Sequence, residues 1–199
     1  MGAKYTKIET GLNVNSLNNG DIIMIRNKKY PTTALQRFIA DKNKTLWTSV
    51  GVVLNLPELE SQKYFFEISE LHPHDNLISL LSGASVESGV RVVPLAERLS
   101  GIKPGSVCGV RKLNTNLRSI ESVRAPQHYQ LLQALNRTMR PQAEKITDQA
   151  EAVTWVLQKM GVILSPKYHL SLPDLRGSYI NKIAQPNVEY QPLEIITTI

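Results

Sequence analysis

Short apolar runs separated by polar breaks fill the first half of the chain and predict strands. One run covers 22–25 behind Gly20-Asp21, and a longer one covers 48–56 and stops at Pro57. Apolar runs of this length, bounded by turn residues, are typical of buried strands. Three further strands are predicted by the same pattern, at 63–69, just before Pro94 and at 106–113.

Helical spacing of apolar residues replaces these runs in the second half. One stripe is formed by Leu131, Leu132, Leu135 and Met139, and a second by Val153, Val156, Leu157 and Met160. The second helix has a start signal, because Asp148 is followed three residues later by Glu151 as in a capping box, and Gly161 is its stop. Shorter helices are predicted at 32–40 and between Pro94 and Gly101.

The order of these elements, several strands and then two helices, predicts a single α+β domain with a largely antiparallel sheet packed on helices. We place this domain at 20–185. The polar, Asn-rich residues 1–19 are interpreted as an N-terminal arm, and 186–199 as a C-terminal tail. The tail alternates apolar and polar residues, which leaves open an added edge strand or a partner-binding arm.

Length and composition agree with an ordinary globular domain. The chain has 199 residues, of which 42% are hydrophobic and 20% charged, enough for one buried core. Its single cysteine excludes an internal disulfide and fits a reducing compartment. Because no apolar leader stands at the N-terminus and no apolar run approaches the roughly 18 residues of a membrane helix, we expect an intracellular, non-secreted protein.

The net charge of +6 permits attraction to anionic partners. Lysine and arginine are scattered, however, and no basic strand interleaved with aromatic residues is present. The charges therefore favour a solvated surface over nucleic-acid binding, and protein partners are expected instead.

The first residues, Met1-Gly2-Ala3-Lys4-Tyr5-Thr6, match the N-myristoylation pattern at Gly2. A single myristoyl chain binds a membrane only marginally, so Lys4 and Lys7 would have to contribute. A chance match at Gly2 is the alternative, because the pattern is short.

Six stretches between 20 and 175 form a recognisable series. They are "GDIIMIRN", "WTSVGVVL" with "FFEIS", "GVRVVPLAERL", "SVCGVRKL", "QAEAVTWVLQKMGV" and "SPKYHLSLPDL". In this order they resemble circularly permuted NlpC-type papain-like proteins. The family includes bacterial envelope hydrolases, relatives of lecithin retinol acyltransferase and a poxvirus virion protein. The resemblance implies a permuted papain-like domain, with a catalytic histidine on the second strand and a cysteine at the start of the later helix.

Carried over to this chain, the resemblance implies a site without its catalytic pair. Ser49 stands at the histidine position and Gln149 at the cysteine position, while Glu67 matches the polar residue of the third strand. A serine cannot act as a general base near neutral pH, and an amide cannot act as the nucleophile. The three side chains are expected to line a groove that can form hydrogen bonds but cannot cleave.

Other candidate groups are weaker. Cys108, the only thiol, lies within an apolar strand and is interpreted as a core residue. His72, His74 and Asp75 are close enough in sequence to seed a metal site, but they lie in one loop without a fourth partner, so a solvated loop is favoured. No phosphate-binding glycine pattern is present, and no cofactor is expected.

These observations favour a catalytically inactive papain-like domain with a structural or protein-binding role. The likeness to a poxvirus protein suggests a component of a large DNA virus virion. The first alternative is an active thiol hydrolase or acyltransferase that uses Cys108. The second is a myristoylated adaptor at a cytoplasmic membrane surface, attached through Gly2.

Overall fold

The chain is described by a computed structural model over separate stretches of its length. These are residues 6–8, 12–26, 47, 49–55, 62–69, 77–81, 83–85, 89–102, 106–115, 146, 148–163, 170–171, 174–175, 177, 179–186 and 188–196.

Strands dominate these stretches. They are β1 (Thr6–Ile8), β2 (Ile22–Arg26), β3 (Ser49–Asn55), β4 (Lys63–Ser69), β5 (Ile78–Ser79), β6 (Ala84–Ser85), β7 (Gly89–Pro94), β8 (Val107–Arg111), β9 (Leu113–Thr115), β10 (Val188–Tyr190) and β11 (Glu194–Ile196). The helices are α1 (Leu95–Ser100), α2 (Gln149–Lys159) and α3 (Tyr179–Ile183), and a 3₁₀ turn covers Val14–Ser16.

Seven of the strands form one sheet in the order β1-β11-β8-β2-β3-β4-β7. Every neighbouring pair is antiparallel except β1 and β11, which run parallel. Two smaller sheets pair β9 with β10 and β5 with β6. The prediction of an α+β domain with a largely antiparallel sheet is therefore confirmed.

The large sheet is covered on both faces. On the first face, α2 packs against an apolar cluster that includes Met24, Val50, Val52 and Phe66. On the second face, a separate cluster joins the sheet to α1 and to a buried leucine near the N-terminus; it includes Leu17, Ile23, Val53, Phe65, Leu99 and Cys108. Because both faces are buried, the strands between them read as continuous apolar runs rather than as alternating ones.

A glycine in β3 allows the second face to close tightly. A Cβ atom at Gly51 would overlap the ring of Phe65 and the carbonyl oxygen of Phe66. Any side chain at this position would therefore separate β3 from β4 or displace the aromatic ring.

Most of the predicted elements that fall on described residues are found where the sequence places them. The strands at 22–25, 48–56, 63–69 and 106–113 correspond to β2, β3, β4 and β8, and the helix after Asp148 corresponds to α2. Asp148 caps α2 as predicted, since its side chain accepts a hydrogen bond from the Glu151 N–H at 3.0 Å. Gly161 follows α2 with φ +69°. The helices predicted at 32–40 and around Leu131–Met139 lie outside the described residues.

The tail forms strands of the fold. β11 pairs with β8 on one side and with β1 on the other, so it lies inside the sheet and β1 is the outer strand. Arg111 attaches the tail further, because its Nε donates to the carbonyl oxygen of Gln191 at 3.0 Å and its guanidinium lies 5.6 Å from the ring centroid of Tyr190. The same Arg111 donates through Nη1 to the carbonyl oxygens of Leu175 and Gly177, both at 2.7 Å.

Candidate functional site

Ser49 opens β3 and is 5% exposed. Its hydroxyl donates a hydrogen bond to Oε2 of Glu67, at 2.9 Å. Successive residues of a strand point to opposite faces of a sheet. Since Val50 belongs to the first cluster and Val53 to the second, the side chain of Ser49 lies on the second face.

Glu67 stands in β4 and is held by two arginines. Arg91 lies directly opposite it on β7 and donates to Oε1 from Nη2 at 2.7 Å and from Nε at 3.1 Å. Arg98, on α1, donates from Nε to Oε1 at 2.6 Å and from Nη2 to Oε2 at 3.2 Å. Ser49, Glu67, Arg91 and Arg98 form what we call the polar cluster, and all four are buried.

The charges of this cluster fix the state of the carboxyl group. Burial by itself raises the pKa of Glu67, but the positive charges and hydrogen bonds of Arg98 and Arg91 outweigh it and leave the pKa below its ordinary value of 4.5. Glu67 is therefore an ionised acceptor at neutral pH, with both oxygens already occupied. Such a group is suited to holding α1 on the sheet and not to exchanging protons with a substrate.

Gln149 is the first residue of α2 and is 4% exposed. Its Oε1 accepts a hydrogen bond from the backbone N–H of Val50 at 3.0 Å. Gln149 thus ties the start of the helix to the start of β3, on the side of the sheet where α2 packs. The amide at the position where the resemblance implies a cysteine therefore satisfies a backbone donor of the sheet.

The three expected site residues are close to one another along β3, but they do not line an open groove. Ser49 and Glu67 belong to the buried polar cluster of the second face, whereas Gln149 belongs to the helix of the first face. All three are buried, and each takes part in a hydrogen bond within the fold. A histidine side chain at 49 would point to the second face of the sheet, whereas a cysteine at 149 would lie at the start of α2, on the first face.

Cys108 is a core residue, as the sequence predicts. It lies in β8 with no exposed surface, within the second cluster. Burial raises the pKa of its thiol to about 12, although the charge of Arg98 acts in the opposite direction. Since the thiolate is the nucleophilic form, a thiol in this state is unreactive at neutral pH.

The other candidate positions lie partly or wholly outside the described residues. This is so for His72, His74, Asp75, Gly2 and Lys4, while Lys7 lies in β1 opposite Ile195. Within the described stretches, no group of three or more His, Cys, Asp or Glu side chains could hold a metal ion. None of the helices in those stretches is long and apolar enough to cross a membrane.

The sequence analysis does not predict the two arginines of the polar cluster. The sequence does contain a signal for Arg91, because Glu67 and Arg91 each interrupt a strand that is otherwise largely apolar. Opposite charges in two buried strands indicate a cross-strand pair. Arg98 has no such signal, since charged residues are ordinary in a short helix.

Comparisons of the chain with protein-family models, with curated proteins and with solved structures found no match. The α+β fold and the polar cluster are therefore the basis for inferring a function.

Proposed function

We propose that this chain is a non-catalytic relative of the permuted papain-like proteins and that it serves as a structural or protein-binding domain. The observation that carries the proposal is what the side chains do at the two positions where the resemblance implies a catalytic histidine and cysteine. The Ser49 hydroxyl is committed to Glu67, and the Gln149 side chain is committed to the backbone of Val50. Both groups stabilise the fold, and neither is left to act on a substrate.

The secondary structure of the resembling segments supports the same proposal. β2, β3, β4, β7, β8 and α2 are all formed by these segments. Gln149 begins α2 and contacts the backbone of β3, which supports the contact between helix and strand that the resemblance implies. The side chain of Ser49 points to the other face of the sheet, away from α2. The resemblance also extends the proposal to a role in the virion of a large DNA virus.

Activity and thiol accessibility test the absence of catalysis. We expect the full chain and its Cys108→Ala variant to hydrolyse thioester and amide substrates only at the rate of the buffer. We also expect iodoacetamide to leave Cys108 unmodified in the folded protein and to modify it fully in urea, because the buried thiol has a pKa of about 12.

Turnover by the wild-type chain, whether or not Cys108→Ala removes it, would contradict the proposal. So would rapid alkylation of Cys108 under native conditions. The structural or binding role is tested separately by chemical cross-linking in the cells that produce the protein, followed by mass spectrometry. A chain recovered only as a free monomer would be incompatible with that role.

A further inference from the structure

Residues 12–20, which we call the strap, cross the second face of the sheet before β2 begins. Leu17 is fully buried in the second cluster, and Leu12 and Val14 pack against that cluster while partly exposed. Asn13 and Asn15, which lie between them, are exposed. The strap therefore covers part of the apolar face with one side and meets solvent with the other.

Residues 12–18 of the strap are fastened to the sheet mainly by one side chain. Their own backbone hydrogen bonds are local: the Ser16 N–H donates to the carbonyl oxygen of Asn13 at 3.0 Å, and the Leu17 N–H donates to that of Val14 at 3.2 Å. Lys63 Nζ donates to the carbonyl oxygens of Val14 at 3.1 Å and Asn15 at 2.7 Å, and also to that of Leu17. The other hydrogen bonds of residues 12–18 are made within the strap or with Asp21. Among the described residues after Asp21, Lys63 is therefore the one that hydrogen-bonds to residues 12–18.

The geometry suits an ammonium group. A lysine ammonium has three N–H donors and no acceptor, and here three carbonyl oxygens of one turn receive them. The sheet fixes the position of Lys63, because this residue begins β4 and pairs with Asn55 of β3. Burial lowers the pKa of Lys63 below its ordinary value of 10.5, although the negative charge of Asp21 acts in the opposite direction.

The C-terminal end of the strap is joined to the sheet differently. Gly20 adopts φ +89°, and its N–H donates to the carbonyl oxygen of Val53 at 2.9 Å. Asn19 accepts through Oδ1 from the N–H of Asn55 at 3.1 Å. This end would remain attached if the Lys63 contacts were lost. The chain before the strap is attached as well, because β1 pairs with β11 in the large sheet.

We propose that the strap opens as a loop, separately from the sheet, between the attached ends at β1 and at Asn19-Gly20, and that Lys63 is the fastening that keeps it closed. Opening withdraws Leu17 and uncovers the apolar surface beneath it while the paired strands stay folded. The domain thereby has a concealed apolar surface that loss of one ammonium group exposes. This holds whether or not the domain is a binding module.

Hydrogen exchange of the full chain, followed by mass spectrometry, tests the proposal. In Lys63→Met, which keeps the length of the side chain but not its charge, we expect peptides covering 12–20 to exchange roughly tenfold faster or more, because three charge-assisted hydrogen bonds are lost. Peptides covering β2 and β3 should keep their wild-type rates. Lys63→Arg retains a charged donor and should accelerate the strap less than Lys63→Met does.

Lys182→Met is the matched control, because Lys182 is an exposed lysine on α3, and it should leave the strap unchanged. Equal acceleration of strap and sheet in Lys63→Met would show that the strap has no separate opening, and no acceleration would show that Lys63 is not its fastening. Either result overturns the proposal.

If Lys63→Met does not fold, the wild-type chain decides the question alone. Its exchange is then measured at rising, sub-denaturing urea concentrations. The amides of Ser16 and Leu17 should exchange through an opening that depends little on urea, and those of β2 through one that depends strongly on it. The same urea dependence in both would contradict the proposal.

Discussion

Glu67 is a carboxylate surrounded by two guanidinium groups and a serine hydroxyl, in a part of the sheet from which water is excluded. Removing such a charge from water is costly, and its partners offset this cost only when the geometry is good. The fit here is good, since both carboxylate oxygens accept bonds from guanidinium groups. The result is an interaction that would be expensive to break from one side only.

At the residue scale, we predict that Glu67→Gln lowers the free energy of unfolding by about 3–5 kcal/mol, because it leaves two buried guanidinium groups without their counter-charge. The measurement is urea unfolding followed by circular dichroism. Glu97→Gln is the control, since Glu97 is an exposed residue of α1, the helix that carries Arg98, and its change should stay within about 0.5 kcal/mol. Equal effects of the two variants would refute a structural role for the Glu67 charge.

The pH dependence of the same variant has a defined sign. Because the pKa of Glu67 is lowered in the folded protein, the carboxylate contributes stability above its ordinary pKa of 4.5, and this stability is lost as the pH falls through the folded value. The difference in unfolding free energy between wild type and Glu67→Gln should be constant from about pH 6 to 8 and should shrink below about pH 4.

Comparing the two proteins, rather than following wild type alone, removes a contribution of opposite sign. Burial raises the pKa of Asp21 above its ordinary value of 3.8, despite hydrogen bonds from the backbone N–H groups of Asn18 and Leu113. The folded protein therefore binds this proton more tightly than the unfolded chain does, and Asp21 favours folding as the pH falls. A difference that grows on acidification would contradict the assignment to Glu67.

At the scale of elements, two neighbouring residues at the start of α2 have different structural roles. Asp148 caps the helix by accepting from the Glu151 N–H, and Gln149 satisfies the N–H of Val50 in β3. The cap fixes where the helix begins, and this in turn determines which side chain reaches the strand. The register of α2 on the sheet depends on both.

We predict that Asp148→Ala lowers the free energy of unfolding by about 1 kcal/mol, because the Glu151 N–H loses its acceptor. Thermal or urea unfolding measures this change. Asp148→Asn keeps an acceptor oxygen and should differ from wild type by only a few tenths of a kcal/mol, roughly the spread among good N-cap residues. If Asn were as harmful as Ala, the effect of Asp148 would have to come from its charge and not from capping.

β7 forms one outer edge of the large sheet, and part of this edge is covered by other residues of the chain. Outside its pairing with β4, Val92 donates its N–H to Ser79 Oγ at 3.1 Å and accepts from the Leu80 N–H at 2.8 Å. Pro94, at the end of the strand, has no N–H to offer. The β5 segment and the proline together occupy part of the edge that another chain could otherwise extend.

At the scale of the whole molecule, Arg111 joins β8 to two later segments of the chain. Its guanidinium donates to the carbonyl oxygens of Leu175, Gly177 and Gln191, and it is almost fully buried. Burial lowers the pKa of Arg111, although the nearby Tyr190 acts in the opposite direction. One side chain thus holds parts of the fold that are far apart in sequence.

We predict that Arg111→Met lowers the free energy of unfolding by about 3–5 kcal/mol, because several buried carbonyl groups lose a charged donor at once. Lys112→Met is the control; Lys112 is the adjacent residue and is only partly buried, so its change should be below about 1 kcal/mol. Urea unfolding measures both. A small effect of Arg111→Met would mean that the segments around 175 and 191 are held by their apolar contacts alone.

The sequence predicts local structure well here because the local signals are strong. Apolar runs closed by Pro57 or Gly20, and the Asp148 cap before α2, are each contained within a few neighbouring residues. The faces of the strands were harder to assign, because β2 and β3 are apolar on both sides and period-two alternation does not separate them. The resemblance implies one groove lined by Ser49, Glu67 and Gln149, whereas the structure buries these side chains in two hydrogen-bond networks.

The position of β11 has a consequence for how the protein is made. β11 lies between β8 and β1, so the edge of β8 has no partner until residues 194–196 have left the ribosome. β1, which lies far earlier in the chain, must also wait for them. Pairing across such a long loop is slow, and an open strand edge invites aggregation. We infer that this sheet is completed only after synthesis reaches β11, and that a stalled chain would expose β8 to its neighbours.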